Sequence, residues 1–133
     1  MGEDKKQLRV FHVDDDARTL SAFNMMIVKM GGIYIEAYDL EDFEKEVNDG
    51  LKDFDKYRNV FISDGQFPAR NDNSKAYIEV IEFLENIIDE RYLKIIVISG
   101  NYSIVEDAKN QGYVGFLKGS PFIQKLKNIL ESE

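Results

Sequence analysis

Residues 8–16 read LRVFHVDDD. A short run of strand character ends in three consecutive carboxylates, Asp14, Asp15 and Asp16, and a segment of helical period follows, with Leu20, Phe23, Ile27 and Met30 on one face. This is the hand-over from a strand to a covering helix. The same hand-over recurs along the chain, with strands expected over 8–13, 33–38, 60–63 (ending at Asp64), 94–98 and 113–117. After the second strand, Leu40, Phe43 and Val47 recur at helical spacing, and after the third so do Ile78, Ile81, Leu84 and Ile88. A modest helix is expected over about 104–111, and Pro121 is expected to open the last one. Gly31 and Gly32 stop the first helix. Five strand and helix pairs in alternation predict an α/β fold, a parallel sheet with helices on both faces. The connection over 51–58 is longer than usual and has room for an extra helical turn.

The chain has 133 residues, 44% of them hydrophobic, and two prolines, which suits one domain (1–133, core about 7–131) with a single hydrophobic core. It carries 17 Lys and Arg against 25 Asp and Glu, a formal charge of -8 that repels phosphate backbones and anionic lipid. Direct nucleic-acid binding is not expected. With no cysteine there is neither a disulfide framework nor a thiolate metal site. The charged start MGEDKKQ contains no signal-peptide core, and no stretch is long and apolar enough to span a membrane, so a cytoplasmic location is expected.

In open parallel sheets, ligands sit beyond the carboxyl ends of the strands, near the point where strand order reverses. The residues at those ends are Asp14, Asp15 and Asp16, then Asp64, Ser99 and Lys118. Clustered carboxylates resist joint ionisation unless a cation or hydrogen bonds compensate. An oxygen-only donor set, with one histidine in the chain, suits Mg2+ or a similar hard ion rather than zinc. A hydroxyl and an ammonium beside it are apt donors to phosphoryl oxygens, and an aspartate can be the nucleophile. Taken singly, Asp16 reads as the cap of the following helix, Asp64 and Ser99 as turn residues before glycine, and His12 as a structural histidine. Tyr102 and Phe67 border the expected pocket as partner contacts or as packing.

The segments VFHVDDD, NVFISDGQFP, IIVISG and GFLKGSPF together resemble the signature segments of response-regulator receiver domains of two-component signalling, including single-domain chemotaxis-type regulators. The resemblance covers nearly the whole chain. It implies a flavodoxin-like (βα)5 three-layer sandwich of strand order 2-1-3-4-5, with Asp64 as phosphoacceptor. Metal ligation would come from Asp14, Asp15, Asp64 and the backbone carbonyl of Gln66. Ser99 matches the switch hydroxyl, Lys118 the phosphate-binding lysine and Pro68 the proline that follows the acceptor. It also implies a histidine kinase or phosphotransfer protein as donor and a downstream protein as target, so that the chain is a signalling switch rather than an enzyme.

Two positions depart from that pattern. Gly119 and Ser120 separate Lys118 from Pro121, where the family often has proline directly after the lysine. The aromatic residue commonly found three before the lysine is Gly115 here, with Phe116 one residue closer as a possible switch aromatic. Either the strand end is shifted by one residue or the aromatic coupling is absent. Two alternatives stand beside the switch. Asp14 to Asp16 with Thr19 and Leu20 also resembles the first motif of haloacid-dehalogenase-type phosphatases, which would make Asp14 the nucleophile, although the spacing to the threonine differs and the later acidic motif is missing. The other is a receiver-like interaction module that is never phosphorylated.

Overall fold

The structure, a computed structural model, describes residues 6–67, 76–119 and 121–131. Pro68, Ser120 and the polar stretch 69–74 lie outside the described residues. Strands and helices alternate as β1 (Gln7–Val13), α1 (Ala17–Lys29), β2 (Ile33–Ala37), α2 (Leu40–Gly50), β3 (Tyr57–Asp64), α3 (Ala76–Ile87), β4 (Ile95–Ser99), α4 (Tyr102–Asn110), β5 (Val114–Leu117) and α5 (Ile123–Glu131). All strand pairs are parallel and the order is β2-β1-β3-β4-β5. This is the expected flavodoxin-like sandwich.

The period-2 alternation of the central strands divides the core between the two faces. Val10, Ile62, Ile96 and Ile98 pack with Phe23 and Ile27 of α1 and Leu126 and Leu130 of α5. Phe11, Phe61 and Val97 pack on the other face with Phe43 and Val47 of α2, Leu84 of α3 and Ala108 of α4. The first helix stops where the glycine pair requires it. Gly31 takes φ +83° and its N–H bonds to the Val28 carbonyl, while the Gly32 N–H bonds to that of Ile27 at 2.9 Å.

Several boundaries differ from those read in the sequence. β3 begins at Tyr57 rather than residue 60 because Gln7, Leu8 and Arg9 pair with Tyr57, Arg58 and Asn59, extending the ladder through polar residues. In α3 the side chains buried deepest include Tyr77 and Val80, while Ile78 is only partly buried. Pro121 does not open the last helix, which starts at Ile123 after Phe122 has entered the core.

The long connection over 51–58 does hold helix, a 3₁₀ segment Leu51–Lys56, and Arg9 anchors it. Arg9 is 5% exposed, yet its guanidinium donates to Asn59 Oδ1 at 2.7 Å, Asp53 Oδ1 at 2.9 Å and the Gly50 carbonyl at 3.0 Å. It also lies 4.3 Å from the Tyr57 ring centroid. A buried charge is tolerated when its donors are used in this way. Replacing Arg9 by Met strands buried acceptors, and urea unfolding is expected to show a loss of about 2–4 kcal/mol. Asp53→Asn, on the more exposed side of the same pair, is expected to cost much less than the Arg9 substitution.

Candidate functional site

The carboxyl ends of β1, β3 and β4 and the residue after β5 meet at one edge of the sheet. At the end of β1, Asp14 is fully buried. Its Oδ1 accepts the Asp16 backbone N–H at 2.8 Å, and its Oδ2 accepts from Lys118 Nζ at 2.9 Å. Asp15 is exposed, and Asp16 caps α1 by accepting the Arg18 N–H, as its sequence position suggests. At the end of β3, Asp64 is 6% exposed, with Oδ1 3.3 Å from the same Lys118 Nζ. One carboxylate oxygen from each of Asp14, Asp15 and Asp64 falls within 4.8 Å of the others. Three hard oxygen donors so placed fit a hard divalent cation.

Lys118 reaches this group because β5 is in ordinary register. The Lys118 N–H bonds to the Ser99 carbonyl at 2.8 Å, and Gly119 then turns the chain with φ +88°. Ser99 is 1% exposed, and its Oγ accepts the Asn101 backbone N–H at 3.0 Å, leaving its hydroxyl hydrogen available to donate. A Cβ built on Gly65 would lie 2.9 Å from Ser99 Oγ and 2.7 Å from Ile104 Cγ2, so the residue after Asp64 has room only for glycine. Gln66 is exposed and Phe67 is buried in the core, so Phe67 is packing, whereas Tyr102 is 65% exposed.

Phe116 is not beside Ser99. It pairs with Ile98, faces α1 and α5, and stacks on Phe122 with centroids 5.2 Å apart. Gly115 pairs with Val97 and faces α4, where a Cβ would stand 3.2 Å from the Val105 carbonyl oxygen. The strand pairing thus puts Phe116 on the α1 and α5 face and Gly115 on the α4 face.

Burial and the neighbouring Asp14 push the Asp64 carboxyl up to about 7, against the opposing pull of Lys118. Burial likewise raises Asp14, opposed by the Asp16 N–H and Lys118. His12 is pushed down to about 3, first by burial and then by Lys118. Its Nδ1 lies 2.8 Å from Tyr34 Oη. Sequence reasoning passed over Tyr34 and Asn101, whose partners depend on register and loop closure, and read Gly65 only as part of a turn. The glycine directly after Asp64 was the one available signal, since it marks a close approach.

No family model matches the chain, and no curated protein matches it. Solved structures do resemble it. The beryllofluoride-activated NtrC4 receiver domain dimer aligns with TM-score 0.67 and 20% identity over 91% of this chain and 92% of that one. A response regulator receiver domain protein from Clostridium thermocellum gives 0.66 and 14% over 92% and 90%. A chain of the CheX-CheY-BeF3-Mg2+ complex from Borrelia burgdorferi gives 0.66 and 19% over 94% and 88%.

A folded pKa above the ordinary value means that folding takes up a proton at Asp64. The stability this group contributes falls as pH rises from about 4 to about 7. His12 has the opposite sign between about 3 and 6.5, so bulk stability mixes the two. Carboxyl-carbon NMR separates them. In metal-free protein the Asp64 carboxyl is expected to titrate near 7, and in Asp14→Asn to titrate lower while staying above its ordinary value. The fold that holds these groups together is that of a response-regulator receiver domain.

Proposed function

We propose that the chain is a phosphoacceptor switch that takes a phosphoryl group onto Asp64 from a histidine kinase or a phosphotransfer protein and then presents an altered surface to a downstream protein. One observation carries the reading. Asp64 is nearly buried yet not sealed, and it lies 3.3 Å from an ammonium group within a cluster of three carboxylates. Such a pocket holds an anionic acceptor at the charge balance that phosphoryl transfer requires.

In the proposed step an Asp64 carboxylate oxygen displaces the donor imidazole at phosphorus. A P–O bond forms, the donor's P–N bond breaks, and the leaving imidazole takes up a proton. Asp14, Asp15, Asp64 and the Gln66 carbonyl would hold the divalent cation, Mg2+ or a similar ion, which supplies positive charge to the phosphoryl oxygens and to the clustered carboxylates. Lys118 would turn from Asp14 toward one phosphoryl oxygen, and the Ser99 hydroxyl would donate to another. Two of the similar structures are a beryllofluoride-activated receiver domain dimer and a CheX-CheY complex with BeF3 and Mg2+, which fits protein contact as the output. Among the described residues no helix is long and apolar enough to cross a membrane. The reading places the switch in the cytoplasm.

The phosphatase alternative needs Asp14 as nucleophile, and a fully buried carboxylate already bonded on both oxygens is poorly placed to attack. Glycine at residue 115 favours the unphosphorylated module, because it removes the aromatic that the resemblance couples to the switch. One experiment separates all three. Incubation with Mg2+ and a small phosphodonor, followed by trapping and mapping of the adduct, is expected to label one site per chain. That label is expected to be lost in Asp64→Asn and kept, at a lower rate, in Asp14→Asn. The reverse pattern supports the phosphatase, and no label at any donor concentration supports the module.

A further inference from the structure

His12 is the one buried polar side chain among the described residues with an atom that lacks a hydrogen-bond partner, Nε2. The ring sits on β1 two residues before Asp14, with no exposed surface, 4.8 Å from the Phe23 ring and edge-on to Tyr34. Nδ1 meets Tyr34 Oη at 2.8 Å, and Nε2 points toward Asp14 Oδ2 at 3.9 Å. That is too long for a hydrogen bond and is shortened to one by a movement of about 1 Å.

The tautomer follows from the two neighbours. A phenol hydroxyl donating to Nδ1 satisfies its own hydrogen and places the imidazole hydrogen on Nε2, directed at a carboxylate oxygen. The opposite tautomer leaves the tyrosine hydrogen seeking another acceptor and sets a nitrogen lone pair against that oxygen. We infer that His12, held as its Nε2–H tautomer by Tyr34, is a positioning residue that donates to Asp14 Oδ2 when Lys118 leaves it for a phosphoryl group on Asp64. The inference rests on the phosphoacceptor reading and deepens it. Lys118 Nζ is shared, 2.9 Å from Asp14 and 3.3 Å from Asp64, so any new anion on Asp64 draws it away from Asp14. Asp14 then keeps the Asp16 N–H on Oδ1, and Oδ2 is left to the cation and to any second donor. His12 Nε2 stands 3.9 Å from that oxygen and is, among the described residues, the buried side-chain atom left without a partner.

The chain has one histidine, so its ring nitrogens give unambiguous signals. A long-range proton–nitrogen correlation on the full chain is expected to show hydrogen on Nε2 and none on Nδ1. With Mg2+ and beryllofluoride, a phosphoryl mimic, the Nε2 proton is expected to move downfield as it bonds to Asp14. His12→Leu is expected to weaken beryllofluoride binding about tenfold, and His12→Gln, which keeps a donor, to restore most of it. A merely structural histidine would change unfolding stability in the variants but would leave the Nε2 proton where it was. Hydrogen found on Nδ1, or an unmoved Nε2 proton while the amides of Asp64 and Ser99 shift, overturns the inference and leaves the phosphoacceptor reading intact. No shift at Asp64 or Ser99 overturns both.

Discussion

A carboxylate with no exposed surface can be kept only where donors and a counter-charge replace water, and Asp14 is such a group just past the end of β1, which lies inside the sheet between β2 and β3. Much of the site follows from that demand. Its two oxygens draw in the Asp16 N–H, which shapes the turn into α1, and the Lys118 ammonium, which ties the end of β5 to β1 across 104 residues of sequence. Lys118 is held in turn by its own N–H on the Ser99 carbonyl, so β4 is fixed by the same constraint. Asp64 is raised first by its own burial and then by the like charge of Asp14, against the pull of the shared ammonium and the Gly65 N–H.

The route by which a change at Asp64 could travel runs through the β4–α4 turn. Asn101 caps α4 with its side chain on the Ser103 N–H while its own N–H is bonded to Ser99 Oγ, so a rotation of Ser99 acts on the first turn of the helix. Further along, α4 rests on β5 at Gly115 and is tied to α3 by a hydrogen bond from the Tyr77 hydroxyl to Asp107. A bulky side chain at residue 115 would have to displace Val105, a main-chain contact rather than a yielding side-chain tip. With glycine at residue 115, α4 packs directly on β5 at this point.

The alternation of strands and helices and the carboxylates at the strand ends were readable in the sequence because each depends on local period or on a strand end, whereas the sheet order came from the family resemblance. What could not be read depends on contacts distant in sequence. The helical turn over 51–56 is fastened by Arg9, more than forty residues away, and the early start of β3 is fixed by pairing with β1 rather than by apolar character. Lys118 and Phe116 illustrate the same limit. Two adjacent registers fit the sequence of β5, and only pairing with β4 decides which side chain faces α4. Tyr34 carries no motif, and its importance to His12 comes from the β1–β2 register.

Without a divalent cation, Asp14 and Asp64 crowd like charge around the one ammonium they share. Proton release on Mg2+ binding measures this directly. Calorimetry in buffers of different ionisation enthalpy is expected to give about one proton released per Mg2+ near pH 6, falling to none near pH 9, with loss of that release in Asp64→Asn. Magnesium binding with no proton release near pH 6, or with equal release at both pH values, would contradict the account.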